Sequence, residues 1–482
     1  MNFAPINVIR VVAVCVKRIL SMSVSTSGQR DRKTDKALWL EATEEAGVFK
    51  ALKKTIRANY TTFDLIGHGV YGYVFRATKE DQRYAVKIFT DLDSGPLEAR
   101  QEVRVMLYLK KVALQDCLLS EPNALQCCPK NLICYTKHFR ARLDLETARL
   151  IRAKRQNEQF TKASQFHCIE SNFIDGKALH IIIIKRLNSA IDRLGLDVDD
   201  FSKLNQYHND SKEISKQYVR NGPSLEQILS FMHTTLSALN FMHEHGAFHR
   251  DIHTGNIMLL NKDSYRPEGV LLDVGISCVK DECTEFIESG AFGQHRLEKE
   301  RKILRAAYDY EADSTEPSVR EDALSLLIKA NLLKWDGSKY DPLFKSTPLS
   351  QKLEAAIDVY ALGTVFYYYV SGILPIWIDG FKIDESQVRE RFDYGSPEMT
   401  KVWLLIEAMI NIDISQRASA FEAKQRAFVL LTDETSWQIK KKSRNADDDD
   451  DDDENEPTKL RNKRSRVNEL FQLAFDPVAW CV

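Results

Sequence analysis

The chain lacks the features that define several large protein classes. No apolar stretch in it is long enough to span a bilayer, and the run VVAVCV near the start is closed off by Arg10 and Lys17. No membrane span is therefore expected. The nine cysteines (Cys15, Cys117, Cys127, Cys128, Cys134, Cys168, Cys278, Cys283 and Cys481) contain no CxxC pair. An odd number at irregular spacing favours neither a disulfide framework nor a zinc site. The expectation is a reducing compartment, with most thiols serving as small core residues. Position 2 is Asn2 and not glycine, which excludes N-myristoylation, and the ending WCV is not a prenylation signal. Residues 1–30 contain no acid. Organelle targeting is one reading of such a start, and a mobile extension is the plainer one. No internal repeat is visible.

What is present suits a soluble enzyme. Hydrophobic residues make up 44% and charged residues 28%, and 482 residues suffice for one large two-lobed domain with tails. The net charge is −2, but nine acids and no base lie between Asp447 and Glu456, so the remainder carries +7. A mildly basic body suits anionic ligands. No direct nucleic-acid binding is expected.

Residues 1–36 read as a flexible extension and 37–60 as a helical lead-in. FDLIGHGVYGYVFRAT and RYAVKIF read as a hairpin and a third strand. PLEARQEVRVMLYLKKVAL is helical, with Val103, Met106, Leu107 and Leu109 on one face. CCPKNLICYTKHF enters another strand, and a charged helical insertion follows near 140–165. HIIIIKRL reads as a buried strand, and about 192–221 as a polar connector. SLEQILSFMHTTLSALNFMHEHG is an amphipathic helix with Ser224 as N-cap. IDVYALGTVFYYYVSGILPI is an almost wholly apolar helix, expected at the centre of a lobe. The last folded helices are expected to end near Leu431. From there, KKKSR, DDDDDDDENE and KLRNKRSR form like-charge blocks that cannot bury surface, so 432–482 reads as a disordered charged tail.

Gly67-His68-Gly69-Val70-Tyr71-Gly72-Tyr73-Val74 fits G-x-G-x-x-G-x-V. Glycine lets backbone N–H groups approach phosphate oxygens where a side chain would collide. Strand-like sequence on both sides disfavours the dinucleotide-binding arrangement, in which such a loop joins a strand to a helix. Ala85-Val86-Lys87 follows, and a lysine on a buried strand is costly without an anionic partner. Glu102 is the favoured carboxylate, because Met106 then falls on the inward face one turn later; Glu98, one turn earlier, is the rival. HRDIHTGNIM at 249–258 sets Asp251 five residues before Asn256, a spacing that can hold a base beside a metal ligand.

Taken in order, Gly67–Val74, AVK at 85–87, HRD at 249–251, Asn256, DVG at 273–275 and DVYALG at 358–363 resemble the protein kinase family over about residues 60 to 430. The resemblance implies an α+β, bilobal fold with a small β-rich N-lobe (61–190) and a larger helical C-lobe (191–431). It implies ATP and Mg2+ as ligands and transfer of the γ-phosphate to Ser/Thr hydroxyls of protein substrates. By the same resemblance Lys87 reaches the α- and β-phosphates and Asp251 handles the proton of the attacking hydroxyl. Asn256 and Asp273 hold the magnesium. Gly67, Gly69 and Gly72 cover the phosphates, Val74 and Ala85 lie above the adenine and Met258 below it. His249 packs beneath the site, Asp358 braces the catalytic loop, and Arg417 closes the C-terminal lobe. Ile184 is the expected back wall of the adenine pocket, with a hinge at Lys185 to Leu187.

The departures are informative. His253 stands where Ser/Thr kinases place a lysine, and a histidine can also donate to the transferred phosphoryl group. HRDIHTGN is similar to the loop of haspin and to the H-x-D-x-H-x-x-N of aminoglycoside- and choline-kinase-like enzymes. Val274 replaces the usual phenylalanine, which leaves less apolar contact under the helix bearing Glu102. Between Gly275 and Asp358 lie 82 residues, read as an expanded activation segment at 276–353 with no APE motif and no assigned partner for Arg417. Arg250 needs an anion nearby: a phosphate on Ser277, Thr284 or Ser289, or the carboxylate of Asp281 or Glu282. Alternative functions are a nucleotide-binding pseudokinase scaffold and a small-molecule kinase. Localisation is expected to be cytoplasmic, nuclear or both, from the basic clusters of the tail.

Overall fold

The structure is a computed structural model of the chain and describes residues 60–69, 72–89, 95–120, 128–142, 165–195, 208–283, 294–312, 315–335, 340–342, 347–372, 377–378, 382–383 and 397–447. The N-terminal extension, nearly all of the lead-in, 143–164 of the charged insertion and the tail beyond residue 447 lie outside these. The chain divides into two compact units, Met1–Leu431 and Thr432–Val482. The architecture is α+β.

The first unit opens with β1 (Thr62–Gly69), β2 (Gly72–Lys79) and β3 (Gln82–Phe89), then α1 (Gly95–Ser120), β4 (Tyr135–Arg142) and β5 (Gln165–Asn172). The five strands form one antiparallel sheet in the order β1-β2-β3-β5-β4. Alternation decides its faces. Phe75, Ala77, Val86, Ile88, Phe166 and Cys168 pack into one core with Tyr60 and Phe63. Burial there pushes the Cys168 thiol up to about 12, so this cysteine is an inert core residue, as expected. α1 buries Ala99, Glu102, Val105, Met106, Leu109, Val112 and Ala113, while Leu107 is 46% exposed. Leu107 was expected on the inward face; it follows Met106 by one residue, about 100° round the helix, and so turns away.

β6 (Gly176–Ala178) leads into α2 (Leu179–Arg193). Here HIIIIKRL is helix and not strand. Leu179, Ile182, Ile183, Ala190 and Ile191 are its buried residues, a helical spacing, and Ile181 is 52% exposed. Then come α3 (His208–Arg220) and α4 (Leu225–Glu244), which starts at Ser224 with a reciprocal capping box to Gln227. β7 (Ala247–Phe248), β8 (Ile257–Leu260), β9 (Glu268–Leu271) and β10 (Cys278–Val279) are short. β6, β8 and β9 make a three-stranded sheet against α4, and β10 pairs with β7.

The stretch expected as one expanded activation segment holds α5 (Gln294–Glu311), α6 (Pro317–Lys329), β11 (Leu333–Trp335) and β12 (Tyr340–Pro342). α7 (Leu349–Ser371) follows and is buried along most of its length. Its N-cap is Pro348, without a side-chain bond. The carboxylate of Glu311 supplies one instead, accepting from Leu349 N at 2.5 Å and Ser350 Oγ at 2.5 Å. β13 (Trp377–Ile378), β14 (Lys382–Ile383), α8 (Pro397–Met409) and α9 (Ala420–Asp447) complete the described chain. Helix α9 continues to Asp447, so part of the region expected as disordered tail is helical.

Disulfides at Cys128–Cys134 and Cys278–Cys283, both among the described residues, run against the expectation that the cysteine spacing does not favour such bonds. Each closes a short local loop that a CxxC search does not detect, and together they remove the basis for inferring a reducing compartment. Among the described residues no helix is long and apolar enough to cross a membrane.

Candidate active site

β3 places Ala85 and Lys87 on the face of the sheet opposite Val86 and Ile88. Register puts Val74 opposite Lys87 from β2, and Ile169 and Ser171 opposite Lys87 and Ala85 from β5. One face therefore carries Val74, Ala85, Lys87, Ile169 and Ser171. β1 and β2 pair as far as Gly69 and Gly72, with Gly67 opposite Val74, so these three glycines lie at one end of the strand pair. Ile169, 2% exposed, lies opposite Lys87 on this face, where Ile184 is not found. Ile184 and Lys185–Leu187 ride on α2; the passage between the two sheets is 172–176 instead, where Phe173 N donates to Arg83 O at 3.3 Å.

Lys87 Nζ donates to Glu102 Oε2 at 2.7 Å and to Asp273 Oδ1 at 2.8 Å. The choice between Glu98 and Glu102 thus falls to Glu102, whose side chain is 2% exposed. Burial lowers the ammonium's pKa, but the two carboxylates outweigh it and the net shift is upward. Burial drives the Glu102 carboxyl up to about 7; Lys87 opposes this only in part and Asp273 adds to it. For Asp273, burial pushes up, while Lys87 and the Gly275 N–H (3.1 Å) overcome it, so the carboxyl lies below its ordinary range. A Cβ on Gly275 would stand 3.0 Å from Asp273 Oδ1 and 3.2 Å from Glu102 Oε2, so only glycine leaves this triad undisturbed.

Helix α1 is held in place by further polar ties. Gln101 Nε2 donates to Ser277 O at 3.4 Å, Arg104 pairs with Glu282 at 2.9 Å, and Tyr108 Oη donates to His245 O at 2.7 Å. These bonds accompany the fully buried Val274.

The stretch from His249 to Asn256 is a hydrogen-bonded unit. Asp358, on α7, accepts from His249 N at 2.7 Å and Arg250 N at 2.8 Å. His243 Nε2 adds a third donor at 3.1 Å. His249 Nε2 donates to Leu272 O at 2.9 Å, and its Nδ1 accepts from Asp251 N at 3.3 Å. Arg250 and Asp273 both have positive φ, 65° and 52°, a costly conformation for residues with a Cβ, and these bonds hold both in place. Asn256 Nδ2 donates to Asp251 O and Oδ2, both at 3.0 Å, and Asn256 O accepts from Leu272 N at 2.8 Å. The amide NH2 is thus used on Asp251, which leaves Oδ1 as the atom for a cation. Burial pushes Asp251 up, but the adjacent His253 and His249 outweigh it, and the carboxyl stays below its ordinary range. It is an ionised base at neutral pH.

His253 caps the 3-10 turn Thr254–Asn256: its Nδ1 accepts from Gly255 N at 3.0 Å. The ring proton of the neutral imidazole therefore sits on Nε2, which lies 3.7 Å from Asp251 Oδ2, beyond hydrogen-bond range. Met258 alternates on β8 with the buried Ile257 and Leu259 and is half-buried itself.

Arg417 finds its partner in Glu300 of α5, with Nη1 to Oε2 at 2.9 Å and Nη2 to Oε1 at 2.7 Å. Arg250 finds one in Glu354 of α7, with Nε to Oε2 at 3.2 Å and Nη2 bonded to Oε1. Neither glutamate was visible in the sequence as a partner. Of the anions expected near Arg250, Ser277 donates to His249 O at 3.0 Å and Glu282 faces Arg104. The side chain of Asp281, and all of Thr284 and Ser289, lie outside the description.

These bonds thus bring out an ionised Asp251 carboxylate, the side-chain oxygens of Asn256 and Asp273, and the part-buried ammonium of Lys87. Among the described residues no group of three His, Cys, Asp or Glu could hold a metal alone. Neither a family model nor a curated protein matches the chain.

Proposed function

We propose that the protein is an ATP-dependent phosphotransferase of bilobal, protein-kinase-like architecture that phosphorylates Ser/Thr hydroxyls of protein substrates. The observation that supports this most is the convergence of Lys87, Asp251, Asn256 and Asp273. Four positions spread over 187 residues are joined through the backbone of Leu272, next to Asp273, whose N–H donates to Asn256 O and whose carbonyl accepts from His249 Nε2. A lysine shared by two carboxylates has the charge to receive a polyphosphate. Asp273 and Asn256 would hold magnesium, which supplies charge neutralisation on the phosphates. Asp251, ionised and fixed by Asn256, takes up the proton of the attacking hydroxyl. His253 Nε2–H is a donor beside it. Val74 and Ala85 supply apolar surface for the base, with Met258 on the other side.

The test is transfer from γ-labelled ATP to the protein itself and to a generic protein mixture, beside a metabolite pool, with Asp251→Asn and Lys87→Ala run in parallel. Labelled protein is expected with wild type only. An Asp251→Asn protein with undiminished labelling, or labelling confined to metabolites, overturns the reading. The basic clusters KKKSR and KLRNKRSR support nuclear import, against which an unchanged distribution after deletion beyond Leu431 would count.

A further inference from the structure

The charge on Arg250, the residue before Asp251, must be matched for the catalytic loop to keep its shape. We infer that Glu354 is the positioning residue that matches it, in the role a phosphate on the segment after Asp273 would otherwise take, so that the site is competent without modification of that segment. The inference rests on the phosphotransferase reading above.

Three sets of contacts carry it. First, the pair is closed: the Arg250 side chain is 3% exposed and that of Glu354 1%. Nε and Nη2 of the guanidinium both face the carboxylate, a fork-to-fork arrangement. Tyr308, from α5, donates to Glu354 Oε1 at 2.8 Å and accepts from Arg250 Nη2 at 3.4 Å. A phosphate brought to this edge would meet a carboxylate already seated there and would have to displace it.

Second, Glu354 and Asp358 are one turn apart on α7. One takes the guanidinium of Arg250, and the other takes its backbone N–H at 2.8 Å. The central helix therefore grips the same residue at both ends.

Third, the start of the segment is tied to its surroundings by its own side chains and backbone. Ser277 is fully buried with its hydroxyl donating to His249 O, so it is no substrate for modification. β10 pairs with β7, directly ahead of His249. Glu282 reaches Arg104 on the helix that bears Glu102.

The full chain is treated with a broad-specificity phosphoprotein phosphatase, and mass spectrometry verifies the loss of phosphate from residues 276–300. Initial rates of γ-phosphate transfer are then compared with those of untreated protein. The expected rate is within about twofold of the untreated one, without a lag. A fall of tenfold or more that recovers on preincubation with ATP overturns the role of Glu354 and leaves the phosphotransferase reading standing. No transfer in either sample overturns the phosphotransferase reading, and this inference with it. Glu354→Gln keeps an acceptor for Tyr308 but loses the charge. It is expected to lower kcat at least tenfold with the KM for ATP within twofold, and an unchanged kcat would sink the proposal.

Discussion

Replacing Arg417 by methionine keeps most of the side chain's bulk and removes all of its donors. The cost can be worked from its contacts. Glu300 Oε2 and Ala356 O accept from Nη1, Glu300 Oε1 and Asn411 O from Nη2, and Asn411 O again from Nε at 3.1 Å. The five N–H groups of the guanidinium are thereby all used. The arginine also stacks 4.7 Å from the Tyr360 ring centroid. Its side chain is 0% exposed and that of Glu300 1%, so water screening does not weaken the loss. Removing one partner of a buried ion pair costs about 3–5 kcal/mol. The stranded carbonyls add to this, each by about 1–3 kcal/mol and not additively. The expectation is a loss of at least 3 kcal/mol, measured by urea denaturation followed by circular dichroism. The double variant Arg417→Met, Glu300→Leu removes both charges and should recover roughly 2 kcal/mol or more of that loss. An Arg417→Met protein within about 1 kcal/mol of wild type would refute the argument, as would a double variant no better than the single one.

Three further outcomes are expected. Because the Glu102 carboxyl is raised to about 7 in the fold from an ordinary 4.5, it contributes stability below pH 4.5 that is lost as pH rises through 7. The stability gap between wild type and Glu102→Gln should therefore change by about 3 kcal/mol across that window, to the disadvantage of wild type; parallel pH curves for the two would contradict the assignment. His253→Ala removes both the cap on Gly255 and the Nε2 donor, and His253→Lys restores a donor without the cap. Transfer should fall for alanine and fall less for lysine, and two fully active variants would exclude a role in transfer. A Cβ at Gly269 would lie 1.9 Å from Thr235 Oγ1 and 2.8 Å from the Phe231 ring, so Gly269→Ala should destabilise by about 1–3 kcal/mol, read as a lowered Tm; an unchanged Tm would show that β9 and α4 separate more easily than their packing suggests.

Much of the site was legible because its residues sit in local patterns. A lysine between apolar neighbours on a strand asks for an anion, and a helix period sets Glu102 and Met106 one turn apart. Asp251 and Asn256 are five residues apart, close enough for the amide of one to reach the carboxylate of the other. The carboxylates that hold Arg250 and Arg417 were not legible. Glu354 lies 104 residues from Arg250 and Glu300 lies 117 from Arg417, and no periodicity links such positions. HIIIIKRL misled because a short run of four isoleucines fits a strand and a helix equally. Extending the window to Ala190, Ile191 and Arg193 would have exposed the helical period.

The sequence by itself determined β1 to β4, the capped start of α4 and the apolar α7, but not β5, whose place HIIIIKRL was expected to fill. These follow from side-chain period, glycine placement and capping chemistry, all of which act within a few residues. Tertiary structure alone decided that Ile169 lies opposite Lys87, that α7 holds the backbone and the side chain of Arg250 together, and that α5 delivers Glu300 to Arg417. A buried charge is tolerated only where another element brings its partner within about 3 Å, and that choice is made by packing, which the order of residues along the chain does not display.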